Sequence, residues 1–127
     1  MTGFVMDIED TTLANDNFRQ VVFTAPYSQL VLMSLLPNED IGMEVHADVD
    51  QFFRFELGEG KVILNGEEHV VKDGMAVVVP AGVNHNIINT SDVNKLKFYT
   101  IYSPANHKDG VVHQTKAIAL ADTEDEI

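Results

Sequence analysis

Residues 74–89 read GMAVVVPAGVNHNIIN. The run from Met75 to Val79 is apolar and mostly β-branched, which favours a strand, and Pro80 ends it because proline carries no N–H for a ladder. Pro80-Ala81-Gly82 supplies a fixed φ followed by a residue that tolerates positive φ, the chemistry of a tight turn. A second short run begins at His85 and closes at Asn89. The segment therefore predicts a strand, a turn and a returning strand, with an imidazole held at the start of the return.

Working outward, the chain from Gln20 onward repeats this pattern. The runs QVVFTA, SQLVLMSLL, GMEVH, QFFRFEL, KVILNG, EHVVK, MAVVVP, HNIINT and KLKFYTIY are separated by Pro37-Asn38, Gly58-Glu59-Gly60, Asn65-Gly66, Asp73-Gly74, Pro80-Ala81-Gly82 and Thr90-Ser91-Asp92. Short strands cut by turn residues at this spacing predict an all-β sandwich or barrel. Asn65-Gly66 is the sharpest of the signals, since a type I′ hairpin needs φ > 0 at both central positions. No 3.6-residue apolar period is sustained, so helix is expected only at the ends. Residues 9–19 read as a short turn or N-terminal arm. The closing ADTEDEI is acidic and polar, and predicts a loose tail.

Upstream lies GMEVHADVDQFFRFELGEG, residues 42–60. In a strand the side-chain period is two, so Glu44 and His46 share a face, while Met43 and Val45 take the other. On the next strand Gln51, Phe53, Phe55 and Leu57 share one face, opposite Phe52, Arg54 and Glu56, and the phenylalanines mark the first set as interior. A carboxylate and an imidazole facing an interior are costly unless compensated. A divalent cation would compensate them.

Together these segments resemble the paired motifs of the cupin superfamily. The second motif, G-x5-P-x-G-x2-H-x3-N, is met at every fixed position by Gly74, Pro80, Gly82, His85 and Asn89. A chance match in a chain of this length is on the order of 10⁻⁵ to 10⁻⁴ from residue frequencies. The first motif is met in part: Gly42 sits closer to the ligands than usual, Glu44 stands where the first histidine is expected, His46 matches the second, Gln51 replaces the glutamate, and Gly58 follows six residues later. The resemblance spans Ser28 to Tyr102. It implies a cupin-type β-barrel, the double-stranded β-helix or jelly roll, built of two antiparallel sheets with one metal inside. Carried over by position, the ligands are Glu44, His46, Gln51 and His85, with Phe53, Phe55, Ile87 and Phe98 as pocket wall or core and Gly42, Gly58, Gly74, Pro80, Gly82 and Asn89 as scaffold. Iron, manganese, nickel, cobalt and zinc all suit such nitrogen and oxygen donors. A single anionic ligand implies a net positive site that welcomes an anionic or enolisable molecule.

The length, 127 residues, suits one domain. The expected division is an arm over 1–19, a barrel core over 20–103 and a C-terminal strap with a loose acidic tail over 104–127. With 8 Lys and Arg against 20 Asp and Glu, the surface field repels phosphate backbones and anionic membranes. Nucleic acid and membrane are excluded as partners on that ground. The absence of cysteine removes thiolate ligands, thiol nucleophiles and disulfides. The amino terminus has no basic residue before Arg19 and no apolar run of leader length, so a cytoplasmic protein is expected.

His69 reads as a surface strand residue, and His107 and His113 as solvent-exposed or strap residues. Asp48 and Asp50 fall in the turn between ligands, and Arg54 is expected to pair with a surface carboxylate. Lys95 and Lys97 imply that Leu96, Phe98 and Thr100 point inward and Tyr99 outward. Phe52, Val45 and Ile88, apolar on outward faces, predict a homodimer packed sheet to sheet, the competing cover being the chain's own N-terminal arm. The function expected is a metal-dependent enzyme acting on a small molecule, by dioxygen chemistry or by Lewis-acid isomerisation or epimerisation of a carbonyl or sugar-like compound. The alternative is a non-catalytic module that binds or senses a small ligand. Small cupins similar to this chain often carry a phosphomannose-isomerase-like label, but Arg54 and Lys61 are the only basic residues near the motifs, too few for a phosphorylated substrate.

Overall fold

The computed structural model describes residues 2–127. Nine strands and two short helices follow in the order α1 Ile8–Ala14, β1 Arg19–Thr24, β2 Gln29–Leu35, β3 Asp50–Leu57, β4 Glu59–Leu64, β5 Glu67–Lys72, β6 Ala76–Val79, β7 His85–Asn89, β8 Leu96–Ser103, β9 Val112–His113 and α2 Lys116–Ala121. They form a six-stranded sheet in the order β6-β3-β8-β2-β1-β9 and a three-stranded sheet in the order β5-β4-β7. Every pairing is antiparallel. The two sheets enclose one core, the jelly-roll arrangement that the resemblance implied.

Side-chain alternation builds that core. On β3, Gln51, Phe53 and Phe55 are buried while Phe52, Arg54 and Glu56 are only half-buried. On β8, Leu96, Phe98, Thr100 and Tyr102 face in, and Tyr99 faces out as its lysine neighbours implied. Phe98 meets Phe53 and Phe55 at ring-centroid distances of 5.8 and 5.3 Å, tilted as aromatic quadrupoles prefer. Val31, Met33, Leu35, Val62 and Ile87 complete the cluster.

Two turns explain the boundaries. Asn65 and Gly66 both have positive φ, 48° and 85°, as a type I′ hairpin between β4 and β5 requires. Gly58 joins β3 to β4 with φ 98°, and a Cβ there would lie 2.6 Å from the Lys95 carbonyl oxygen, so a side chain is barred on two counts. Asn89 directs its amide nitrogen at the carbonyls of Leu35, Leu36 and Asn94 and accepts from the Ser91 N–H, tying the end of β2 and the loop before β8 to the end of β7.

Three expectations are corrected. GMEVH is not a regular strand: this stretch of the chain meets β7 through isolated bridges, Asp40 with Ile88 and Glu44 with His85, and Gly42 at φ 107° turns the chain between them. The acidic tail is not loose. The Asp125 carbonyl accepts from the Lys108 N–H at 2.6 Å, the Ile127 N–H reaches the Asn106 carbonyl at 3.0 Å, and Asp125 is buried. His107 and His113 are strap residues but not solvent-exposed, at 3% and 2% of their free surface. Each gains a carboxylate partner, which offsets the loss of water.

The N-terminal arm ends one residue early, since Arg19 opens β1. Its helix α1 begins at an Asp7 cap that accepts from the Asp10 N–H, as a helix start favours, and packs against β8 and β3. The Lys97 ammonium anchors it by donating to the Leu13 carbonyl and to Asp16. Arg54 pairs with Glu56 at 3.3 Å, and His69 lies exposed beside Glu67.

Candidate metal centre

The site is assembled by backbone hydrogen bonds between the two motifs. Glu44 and His85 exchange both of theirs, at 2.8 and 2.9 Å, and the Gly82 N–H donates to the His46 carbonyl at 2.8 Å. The Pro80–Gly82 turn is held in turn by Asp50, whose carboxylate accepts from the Ala81 N–H. That gives Asp50 a structural role. Asn86 accepts from the Gly42 N–H and donates to Asp40, fixing the approach to Glu44.

With the backbones locked, one donor atom each of Glu44, His46 and His85 lies within 4.8 Å of the others. Glu44 Oε2 and His46 Nε2 stand 3.2 Å apart, and the two imidazole centroids 5.4 Å apart. The His85 Nδ1–H donates to the Val83 carbonyl at 3.0 Å, which leaves Nε2 as the bare lone pair. That Nε2 is buried and without a partner among the described residues, and so is Gln51 Oε1. Gln51 projects from the inner face of β3, directly opposite Val79 on β6 and Tyr102 on β8. Unpartnered buried acceptors are rare in folded proteins because each costs about 1–3 kcal/mol. Here both are lone pairs, and both belong to residues of the expected ligand set. The residues fit a divalent cation.

Burial pushes the Glu44 carboxyl up, but its hydrogen bond with His46 and the electrostatic pull of its neighbours, Arg19 among them, outweigh it and hold the group below its ordinary value, since each favours the charged form. Glu44 is therefore anionic at neutral pH. Burial drives the Tyr102 phenol far up, so it stays protonated. Its ring meets His46 edge-on at 5.8 Å.

A cleft of about 200 Å³ adjoins Glu44, with Arg19 and the strap residues His107, Asp122, Asp125 and Glu126 among its walls. Glu44, Asp122, Asp125 and Glu126 outnumber Arg19 among its walls, which are therefore acidic. The composition of the strap decides this, and the ligand motifs carry no sign of it. A larger recess of about 480 Å³ lies at the far end of β3, around Leu57, Gly58 and Lys95, and contains none of the expected donors.

Phe53, Phe55, Ile87 and Phe98 are wholly buried. They are not among the residues lining the small cavity; they form the core beneath the site, with Phe53 nearest at 6.3 Å from the His85 ring. Sequence reasoning missed Arg19, Asp122 and Asp125 as neighbours of the centre. Asp125 accepts from His107 at 3.0 Å, Asp122 from His113 at 2.9 Å, and Arg19 donates to His113 Nδ1 at 3.3 Å. Only the residue types in the strap hinted at this network.

Residues 31–102 match the family model described as the cupin domain. The chain is a cupin. An uncharacterized protein of Acanthamoeba polyphaga mimivirus is 47% identical over 113 residues, covering 86% of this cupin and 70% of the relative. The uncharacterized protein YrkC of Bacillus subtilis is 47% identical over 124 residues, covering 93% of this chain and 66% of its own. The chain thus spans about two thirds of the length of the curated relatives it matches. A crystal structure of a protein from Bacillus halodurans superposes with a TM-score of 0.91 at 43% identity, covering 94% of each chain. Arg19, His107 and Asp125 lie outside the matched residues, so the network around the strap belongs to this cupin beyond its family core.

Proposed function

We propose that this cupin binds one divalent metal ion through Glu44, His46, His85 and Gln51 and acts on a small, neutral, oxygen-bearing molecule. The observation that carries the reading is the convergence of three donors within 4.8 Å beside two buried lone pairs with no partner among the described residues. Two imidazoles and a carboxylate suit iron, manganese, nickel, cobalt or zinc. Such an ion polarises a bound carbonyl or hydroxyl oxygen as a Lewis acid, or supports dioxygen chemistry when it is iron.

The protein's own contribution is positioning and exclusion. His85 presents Nε2 because Val83 holds its other nitrogen, and Phe53 and Tyr102 keep the surroundings dry. The cavity holds about 200 Å³. That is below the range of sites for drug-sized molecules, which suits a small ligand. Its carboxylates accept hydrogen bonds from hydroxyl groups and repel free anions. An isomerisation, epimerisation or oxygenation of a small polyol or hydroxy-carbonyl compound suits this chemistry.

A second reading, a non-catalytic binding or sensing module, is favoured by one observation. Tyr102 and His107, two groups near the centre able to move a proton, are hydrogen-bonded to each other at 3.2 Å. Elemental analysis of protein purified without chelators should find about one transition-metal ion per chain, and metal-free protein should take up nickel(II) or iron(II) in titration calorimetry. Absence of both overturns the metal reading. Turnover in oxygen-consumption and carbonyl-isomerisation screens on the loaded protein separates enzyme from binding module.

The exposed Val78, opposite half-buried Phe52 on the outward face of β6 and β3, supports a homodimer through that face, of which α1 covers only the part against β3 and β8. Sedimentation should give twice the chain mass at micromolar concentration. The chain mass itself would sink this proposal.

A further inference from the structure

The pairing of the Glu44 segment with β7 is interrupted at Gly42, whose backbone turns at φ 107° between the Asp40–Ile88 and Glu44–His85 bridges. Its N–H finds an acceptor in a side chain instead, Asn86 Oδ1 at 3.0 Å. Asn86 follows His85 on β7, so by strand alternation the two side chains leave opposite faces. The donor end of the same amide is committed as well: Nδ2 donates to Asp40 Oδ2 at 2.9 Å. A carboxylate only accepts, so Asp40 fixes the Asn86 amide with its oxygen toward Gly42. The other Asp40 oxygen, Oδ1, accepts from the Lys116 ammonium of α2. Three hydrogen bonds thus join the strap helix to the turn two residues before Glu44.

Lys116 is the one side chain of α2 able to make such a bond, since the helix reads KAIALA. No residue of α2 is fully buried, and Asp122 at its end bonds to His113 on β9, within the strap itself. Ala119 and Leu120 stand three and four residues beyond Lys116, on the same helix face, and both line the cleft beside Glu44. The pair that completes the Asn86 network therefore also seats a wall of the ligand cleft. With side chains 24% and 36% exposed, Lys116 and Asp40 can part without unfolding of the barrel.

We propose that Lys116 is a positioning residue, a latch that seats α2 on the Glu44 segment so that the metal centre and the strap wall of its cleft are ordered together. This rests on the metal reading above. The coupling is reciprocal: whatever factor the seated helix adds to metal affinity, a bound metal adds to the seating of the helix. Metal loading thereby shapes the cleft before a small molecule enters it.

Hydrogen exchange of residues 116–122, followed by mass spectrometry with and without saturating nickel(II), tests the coupling. Nickel should slow exchange there about 5-fold in the parent, the upper range for a half-exposed ion pair, and clearly more than in β5, an edge strand that makes none of these bonds. Lys116→Met, which keeps the stem without the charge, should abolish the slowing and weaken nickel by about the same factor in calorimetry. Lys116→Arg should retain both. Slowing in α2 no greater than in β5, or undiminished in Lys116→Met, overturns the proposal and leaves the metal reading standing. Failure of the parent to bind nickel overturns both. The comparison of α2 with β5 in the parent alone decides the coupling even if a variant fails to fold.

Discussion

Replacing His85 by alanine should lower nickel(II) affinity by roughly 100-fold or more, about 2.7 kcal/mol, while leaving the metal-free fold in place. The main-chain exchange with Glu44 does not depend on the side chain, so the two motifs stay in register. The variant removes a buried lone pair that had no partner among the described residues, together with the bond from Nδ1 to Val83. A bond of that kind has a modest net worth, about 1 kcal/mol. The measurable contrast is in thermal melts. Saturating nickel should raise the melting temperature of the parent, as any ligand specific to the native state does, and should leave that of His85→Ala unmoved. His46→Ala should behave alike. A collapse of the β-sheet circular dichroism in metal-free His85→Ala would instead make this imidazole a packing residue.

A second large effect should appear in acid. Burial, and then the charge of Arg19, lower His107 to about 4, against the opposing pull of Asp125, because both favour the neutral ring. In the unfolded chain the ring titrates near 6.5, so between these values the unfolded state binds more protons than the folded one. Stability contributed by the neutral ring is fully present above about pH 6.5, falls as the solution is acidified, and is gone by about pH 4. A depression of that size corresponds to roughly 3 kcal/mol. Urea unfolding of metal-free protein at about pH 7.5 and about pH 4.5 should show a loss of this order, and His107→Gln should lose clearly less over the same interval. Equal losses would place the acid sensitivity elsewhere, for instance in Glu44.

The parts legible in the sequence are those whose information is local. Gly74, Pro80, Gly82, His85 and Asn89 lie within sixteen residues and specify a strand, a turn and a return almost by themselves. Parity on β3 put Gln51 inward because Phe53 and Phe55 leave no other choice, and Asn65-Gly66 announced its hairpin through the φ values it tolerates. Glu44 and His46 were found by the same parity even though their segment forms isolated bridges in place of a ladder. The strap was misread because its logic is not local. His107 and Asp125 are 18 residues apart, and Arg19 reaches them from the other end of the chain. ADTEDEI reads as a solvated tail until a buried imidazole is placed beside it. Helix α2, at six residues, is too short to display a period. The acidity of the cavity followed from these same omissions.

The mutual clasp of the Glu44 and His85 main chains has an evolutionary corollary. Because peptide groups, common to all residues, carry the alignment, the side chains mounted on them can be exchanged without redesigning the frame. The identity of the donors at those positions then becomes a trait that drifts by single codon changes, independently of the architecture that houses it.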